Sequence, residues 1–130
     1  MSRFVMQSVL VAAVFISFWP TTDLWGKAQA VKQEEQQDYY KKWLKEDVVY
    51  IITDEEIEVF DKFTTEDEKE EFIEQFWYRR DPDLRTAANE YKEEHYRRIA
   101  YANERFPSGL PGWKTDRGRT YIIHGPPTQV

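Results

Sequence analysis

The chain has 130 residues, enough for one domain, and its formal net charge of −6 makes it a poor partner for nucleic acid or an anionic membrane surface. Cysteine is absent, which removes thiol nucleophiles, thiolate zinc sites, disulfides and a lipid-modified cysteine behind an export signal. Aromatic residues make up 16% of the chain, so large rings must close whatever core it builds.

Arg3 precedes an apolar run over residues 4–19, broken only by Gln7, Ser8 and Ser17 and ended by Pro20. The polar stretch that follows closes on Ala28-Gln29-Ala30, the small-x-small pattern of a signal-peptidase site. A charge, a short apolar run and then such a site is the order of a secretory signal peptide. The run is also shorter than the roughly 20 apolar residues that a spanning helix needs. The sequence therefore predicts a cleaved signal over residues 1–30 and an exported mature domain over 31–130, in the periplasm or outside the cell. No membrane span is expected after cleavage, and the mature chain keeps 16 basic against 23 acidic residues.

Residues 31–47 are predicted helical, with Tyr39, Tyr40, Trp43 and Leu44 at helical spacing. Val48-Val49-Tyr50-Ile51-Ile52 favours a short strand on its β-branched and aromatic content. Thr53 with Glu56, and Thr65 with Glu68, form capping boxes in which hydroxyl and carboxylate satisfy each other's backbone donors. The first should open a short helix carrying Ile57, Val59 and Phe60. The second should open a longer one, to near Arg80, with an apolar face of Phe72, Ile73, Phe76 and Trp77. Acids begin that helix and Arg79 and Arg80 end it, matching its dipole.

Asp81-Pro82-Asp83 interrupts the pattern, because proline pushes the preceding residue out of helical geometry. Thr86 is expected to cap the next helix, which runs to near Phe106 with an inner stripe of Tyr91, His95, Ile99, Ala102 and Phe106. Residues 107–112 read as a loop and residues 120–124, TYIIH, as a strand stopped by Gly125-Pro126-Pro127. The predicted fold is mainly α with a small β element, the helical part of an α+β domain.

Charge is unevenly spread. Residues 31–75 hold 6 lysines, no arginine and 16 acids, whereas residues 76–130 hold 8 arginines, 2 lysines and 7 acids. Lysine suits a solvated face and arginine's planar fork suits fixed pairing. The first half is thus expected to expose solvated acidic helices. The second is expected to hold charges in geometry, as an ion-pair network or as an anion-binding cleft.

Candidate chemistry concentrates near the end of the chain. His95, on an apolar stripe, reads as a satisfied half-buried histidine, and His124 ends the expected strand. A triad of Ser108, His124 and Asp116 can be drawn from adjacent loops, but three residue types on neighbouring loops are a weak pattern. A calcium loop beginning at Asp81 and Asp83 breaks down at Arg85, Thr86 and Lys92. No catalytic residue, metal ligand or cofactor is assigned. Pro111-Gly112 and Asp116-Arg117-Gly118 read as turns, with Trp113 as a plug over the core between them. Gly118 is expected at positive φ, Arg117 and Arg119 on alternate sides of a strand, and Asp116 paired with Arg79 or Arg80.

Gly112-Trp113-Lys114-Thr115-Asp116 matches the signature of GWxTD-domain proteins. The segments around Tyr39–Glu56, Phe72–Asp83, Asn89–Phe106 and Asp116–Pro127 resemble successive blocks of that family, so the resemblance covers most of the mature chain. It implies a bacterial protein with an export signal and carries over no catalytic residue. It also implies further strand-forming sequence after Gly-Pro-Pro, so either a partner supplies the missing strand or, the favoured reading, the 130-residue chain is truncated, with an unpaired terminal strand through which copies would associate.

Taken together, these features predict a non-catalytic exported envelope module that binds another envelope protein. Its binding candidates are Trp113, Asp116, Arg117, Arg119 and His124; Gly112, Gly118, Arg79, Arg80, Asp81 and Pro82 serve as structural residues. The alternative is an exported hydrolase or carbohydrate-binding domain built on Trp113, Asp116 and His124.

Overall fold

The computed structural model describes residues 22–128. The apolar run of the predicted signal peptide lies outside the described residues. The chain divides into two compact units, residues 1–34 and 35–130. The described part of the first is helical and exposed from Leu24 onward, and Ala28-Gln29-Ala30 lies within that helix.

Among the described residues every regular element is helical: α1 (Thr22–Lys42), α2 (Asp54–Phe60), α3 (Glu66–Tyr78), α4 (Glu90–Arg105) and α5 (Asp116–His124). A π-helical turn, Trp43–Asp47, ends α1, and a single 3-10 turn, Gly112–Lys114, precedes α5. The expected β element is absent from them. Residues 48–52 form a turn closed by the amides of Ile51 and Ile52 on the Val48 carbonyl, both at 2.9 Å. Val48 is wholly buried, so the apolar run serves packing rather than pairing.

TYIIH is also helical, the last turns of α5. Thr115 starts that helix by accepting the Gly118 amide, and Gly125, at φ +79°, terminates it. A residue pair alone fixes neither period; the caps on both sides override the strand preference of Tyr121, Ile122 and Ile123. With no strand there, the unpaired edge proposed for self-association does not exist among the described residues.

Both capping boxes form as expected, at Thr53/Glu56 and Thr65/Glu68. The apolar face of α3 is buried, and with Tyr40, Trp43, Val48 and Phe60 it makes the core. Trp43 is the hub: its ring lies 5.5 Å from Phe60 and 5.1 Å from Phe76, the latter edge to face. The cap of α4 is Asn89, not Thr86. Asn89 Oδ1 accepts the Lys92 amide and its Nδ2 donates to the Trp77 carbonyl at 2.7 Å, tying α4 to the end of α3. The Thr86 hydroxyl instead has the Glu90 carboxylate at 2.7 Å and the Asp83 and Ala88 carbonyls at 2.9 Å as acceptors for its single proton.

Along α4 the inner stripe is buried at His95 and Ala102, half-buried at Ile99 and Phe106, and exposed at Tyr91. His95 is satisfied, as its sequence context suggested: Nε2 lies 2.6 Å from the Asp47 carbonyl. A carbonyl only accepts, so this nitrogen carries the proton. Burial holds the imidazole below its ordinary pKa despite the nearby Asp47.

Candidate functional site

The sequence singled out the GWKTD stretch, and the structure makes it the joint between α4 and α5. Gly112 is buried against the backbone of α4: a Cβ there would fall on the Ala102 carbonyl, 2.7 Å from the Asn103 Cα. Asn103 Oδ1 then accepts the Trp113 amide at 2.9 Å. Thr115 has two tasks, donating its hydroxyl to the Gly112 carbonyl at 2.8 Å and accepting the Gly118 amide at 3.1 Å. Asp116 supplies negative charge in the first turn of α5, where the helix dipole favours it.

Gly118 departs from its expected role. It is not at positive φ; only Gly109 and Gly125 are, among the described glycines. It is buried inside α5, where a Cβ would collide with the Gly112 carbonyl. The two glycines therefore permit one close crossing of backbones.

Trp113 does not plug the main core. Half-buried, it meets the Tyr50 ring edge to face at 6.3 Å, and its carbonyl accepts the Tyr50 hydroxyl at 2.8 Å. Burial raises the Tyr50 pKa against the lowering pull of Arg119, which keeps that donor protonated. Arg119 lies over the Tyr50 ring at 5.5 Å and Arg117 over the Phe106 ring at 5.0 Å. Both sit on a helix, so the alternation expected of a strand does not apply.

Asp116 pairs with neither Arg79 nor Arg80. Those arginines serve Glu56: Arg79 Nη2 donates to Oε1 at 3.0 Å, Arg80 Nη2 to Oε2 at 2.8 Å, and Arg80 Nη2 also reaches the Ile51 carbonyl at 3.1 Å. Burial pushes the Glu56 carboxyl up, but Arg80, the Thr53 amide and Arg79 outweigh it and leave the group below its usual range. The Asp81-Pro82-Asp83 break is a side-chain turn, with Asp81 Oδ1 accepting the Asp83 amide at 3.1 Å.

Asp116, Arg117 and His124 do share a wall. With Tyr121 and Phe106 they line a cleft of about 580 Å³. Yet Asp116 and His124 stand eight residues apart on one helix, about 12 Å along its axis at 1.5 Å per residue. That exceeds hydrogen-bond reach, and Ser108 lines a different cleft with Asp116, so no triad assembles. Trp113 lines neither cleft. Among the described residues no group of His, Asp and Glu is placed to hold a metal.

Sequence reasoning missed Tyr50, Asn103 and Arg98, which fasten the corner from outside the motif. Arg98 is held by Glu94 at 2.8 Å and donates to the Ile122 carbonyl at 3.3 Å, placing a cation at the C-terminal end of α5. Its spacing from Glu94 is one helical turn, and that was the only signal available.

Fold and joint together define a small helical domain with an aromatic core, whose signature residues are consumed in crossing two helices. The GWxTD domain family matches residues 24–130, and the chain belongs to that family. No curated protein and no solved structure matches it. Among the described residues no helix is long and apolar enough to cross a membrane.

Proposed function

We propose that the chain is a non-catalytic module of the bacterial cell envelope, exported behind residues 1–30, that binds another protein. One observation carries this reading: the glycines, threonine and tryptophan of the signature are spent on structure, while Ser108, Asp116 and His124 stay apart. Gly112, Thr115 and Gly118 close the crossing of α4 and α5, and Trp113 is held through its amide, carbonyl and ring. Export rests on the order of charge, apolar run and Ala28-Gln29-Ala30.

A photo-crosslinking residue placed in turn at exposed Val59, Leu84 and Ile123 of the exported protein tests it. At least one position should give a discrete adduct with a second protein, and the mature chain should begin at Val31. Turnover of a sugar, peptide or ester substrate that is lost in His124→Asn at unchanged melting temperature would replace the module by a hydrolase. Recovery of Met1 in the membrane would replace the signal by an anchor.

A further inference from the structure

A groove runs between α2 and α3, away from the α4–α5 joint. Val59, Phe63 and Phe72 form its floor, and its volume is about 430 Å³. On α3 its lining residues follow the spacing of one helical face, from Glu68 through Phe72 and Gln75 to Arg79. That face extends about 16 Å at 1.5 Å per residue, the length of three turns. Val59 leaves 43% of its surface in water although its neighbours Phe60 and Phe72 are buried.

The rim is acidic. Glu55, Glu68 and Glu71 stand around the apolar floor. Glu55 and Glu71 have no ion-pair or hydrogen-bond partner among the described residues, and the only arginine at the groove, Arg79, is already engaged by Glu56. Glu68 accepts from the Thr65 amide and hydroxyl, which hold it ionised below the usual carboxylate range. Residues 54–74 as a whole contain 11 acids and 2 lysines, whereas the rest of the chain has more basic than acidic residues. A solvated helical face does not require an apolar trough at the centre of its charge.

We propose that this groove receives a basic amphipathic helix of another protein, with an apolar stripe on Val59, Phe63 and Phe72 and lysines or arginines facing Glu55, Glu68 and Glu71. Charge complementarity selects this partner. The same apolar floor under an acidic ligand would bring like charges together, and a neutral one would leave three carboxylates desolvated beside it. A helix offers a stripe at i, i+4 and i+7 that meshes with the matching stripe of α3. This inference rests on the binding-module reading and supplies the chemistry of its partner.

The test is fluorescence anisotropy of the purified protein with a labelled peptide of about 14 residues, leucines along one helical face and lysines elsewhere. Binding should saturate at low salt and weaken as salt rises. Val59→Gln should weaken it about ten-fold with salt dependence kept, and Glu71→Gln should weaken it less and flatten the salt dependence. Ile123→Gln, at an exposed apolar site on α5, should leave it unchanged. If Val59→Gln lowers the melting temperature, Val59→Thr, which keeps the shape, replaces it. Equal binding of a glutamate-for-lysine peptide, or binding unaffected by the Val59 and Glu71 variants, overturns the proposal. So does an absence of binding, and an adduct from Leu84 or Ile123 but not from Val59 would then leave the module reading standing without this groove.

Discussion

Gly112→Ala tests the joint most directly. The added Cβ meets only backbone: the Ala102 carbonyl, its carbon at 2.5 Å, and the Asn103 Cα at 2.7 Å. No rotamer change relieves it, so the 3-10 turn must lift from α4. Overpacking a filled site costs about 1–3 kcal/mol even where side chains can give. Lifting also stretches the Trp113 amide bond to Asn103 and the Tyr50 bond to the Trp113 carbonyl, each about 1 kcal/mol. The sum, about 3–5 kcal/mol, is a large share of the ~5–15 kcal/mol that holds a domain of this size. Urea unfolding followed by far-UV circular dichroism reads it. The control is Ser108→Ala, at an exposed loop position next to the joint, which should unfold within about 0.5 kcal/mol of the parent. A Gly112→Ala protein that unfolds within about 0.5 kcal/mol of the parent would show that no such close crossing exists.

Gly118→Ala should destabilise in the same assay although alanine is the better helix former, because its Cβ strikes the Gly112 carbonyl; the double variant should cost less than the sum, since one separation relieves both clashes. Glu56→Gln should cost about 2–3 kcal/mol by leaving a half-buried Arg80 without its carboxylate, whereas Arg85→Gln, at an exposed pair with Asp83, should leave the melting temperature unchanged. Glu56 titrates below the ordinary carboxylate range when folded, so its contribution is present above that range and is lost as pH falls through the depressed value; Glu56→Gln should flatten this acid limb in melts across pH. His95 is also depressed on folding, so stability should begin to fall as pH drops below about 6.5, its unfolded value, and His95→Gln should remove that part of the profile. A parent curve flat from neutral pH down to the carboxylate range would contradict the burial of His95.

Signals confined to four residues were legible in the sequence. Thr53-Asp54-Glu55-Glu56 and Thr65-Glu66-Asp67-Glu68 each contain both halves of a capping box, and each opens a helix where expected. TYIIH misled because its own composition favours a strand and its controls lie outside it, in the Thr115 cap and in Gly125. The latter reads equally as a strand stop or a helix end until its φ is seen. Residues 48–52 misled for a related reason: a turn that buries Val48 and half-buries Tyr50, Ile51 and Ile52 selects the same apolar side chains as a short strand. Pairing was the least legible level. Arg79 and Arg80 were expected to hold Asp116, but many acids competed for them, and only the packing of α2 beside the end of α3 selects Glu56 instead. The GWKTD stretch was recognisable as a corner, while the reason for its glycines, one backbone crossing another, involves Ala102 and Asn103, which local sequence does not identify.

The Glu56 carboxylate has a kinetic consequence. It receives the Thr53 amide that starts α2 and both guanidinium groups that follow α3, and Arg80 also holds the Ile51 carbonyl just ahead of α2 while lying 3.6 Å over the Phe76 ring. A fraying motion at residues 51–56 must therefore release the end of α3 in the same event. The amides of these two segments, although more than twenty positions apart in the chain, belong to one opening unit and should exchange with solvent deuterium at a common rate, where independent helix ends would each exchange at their own.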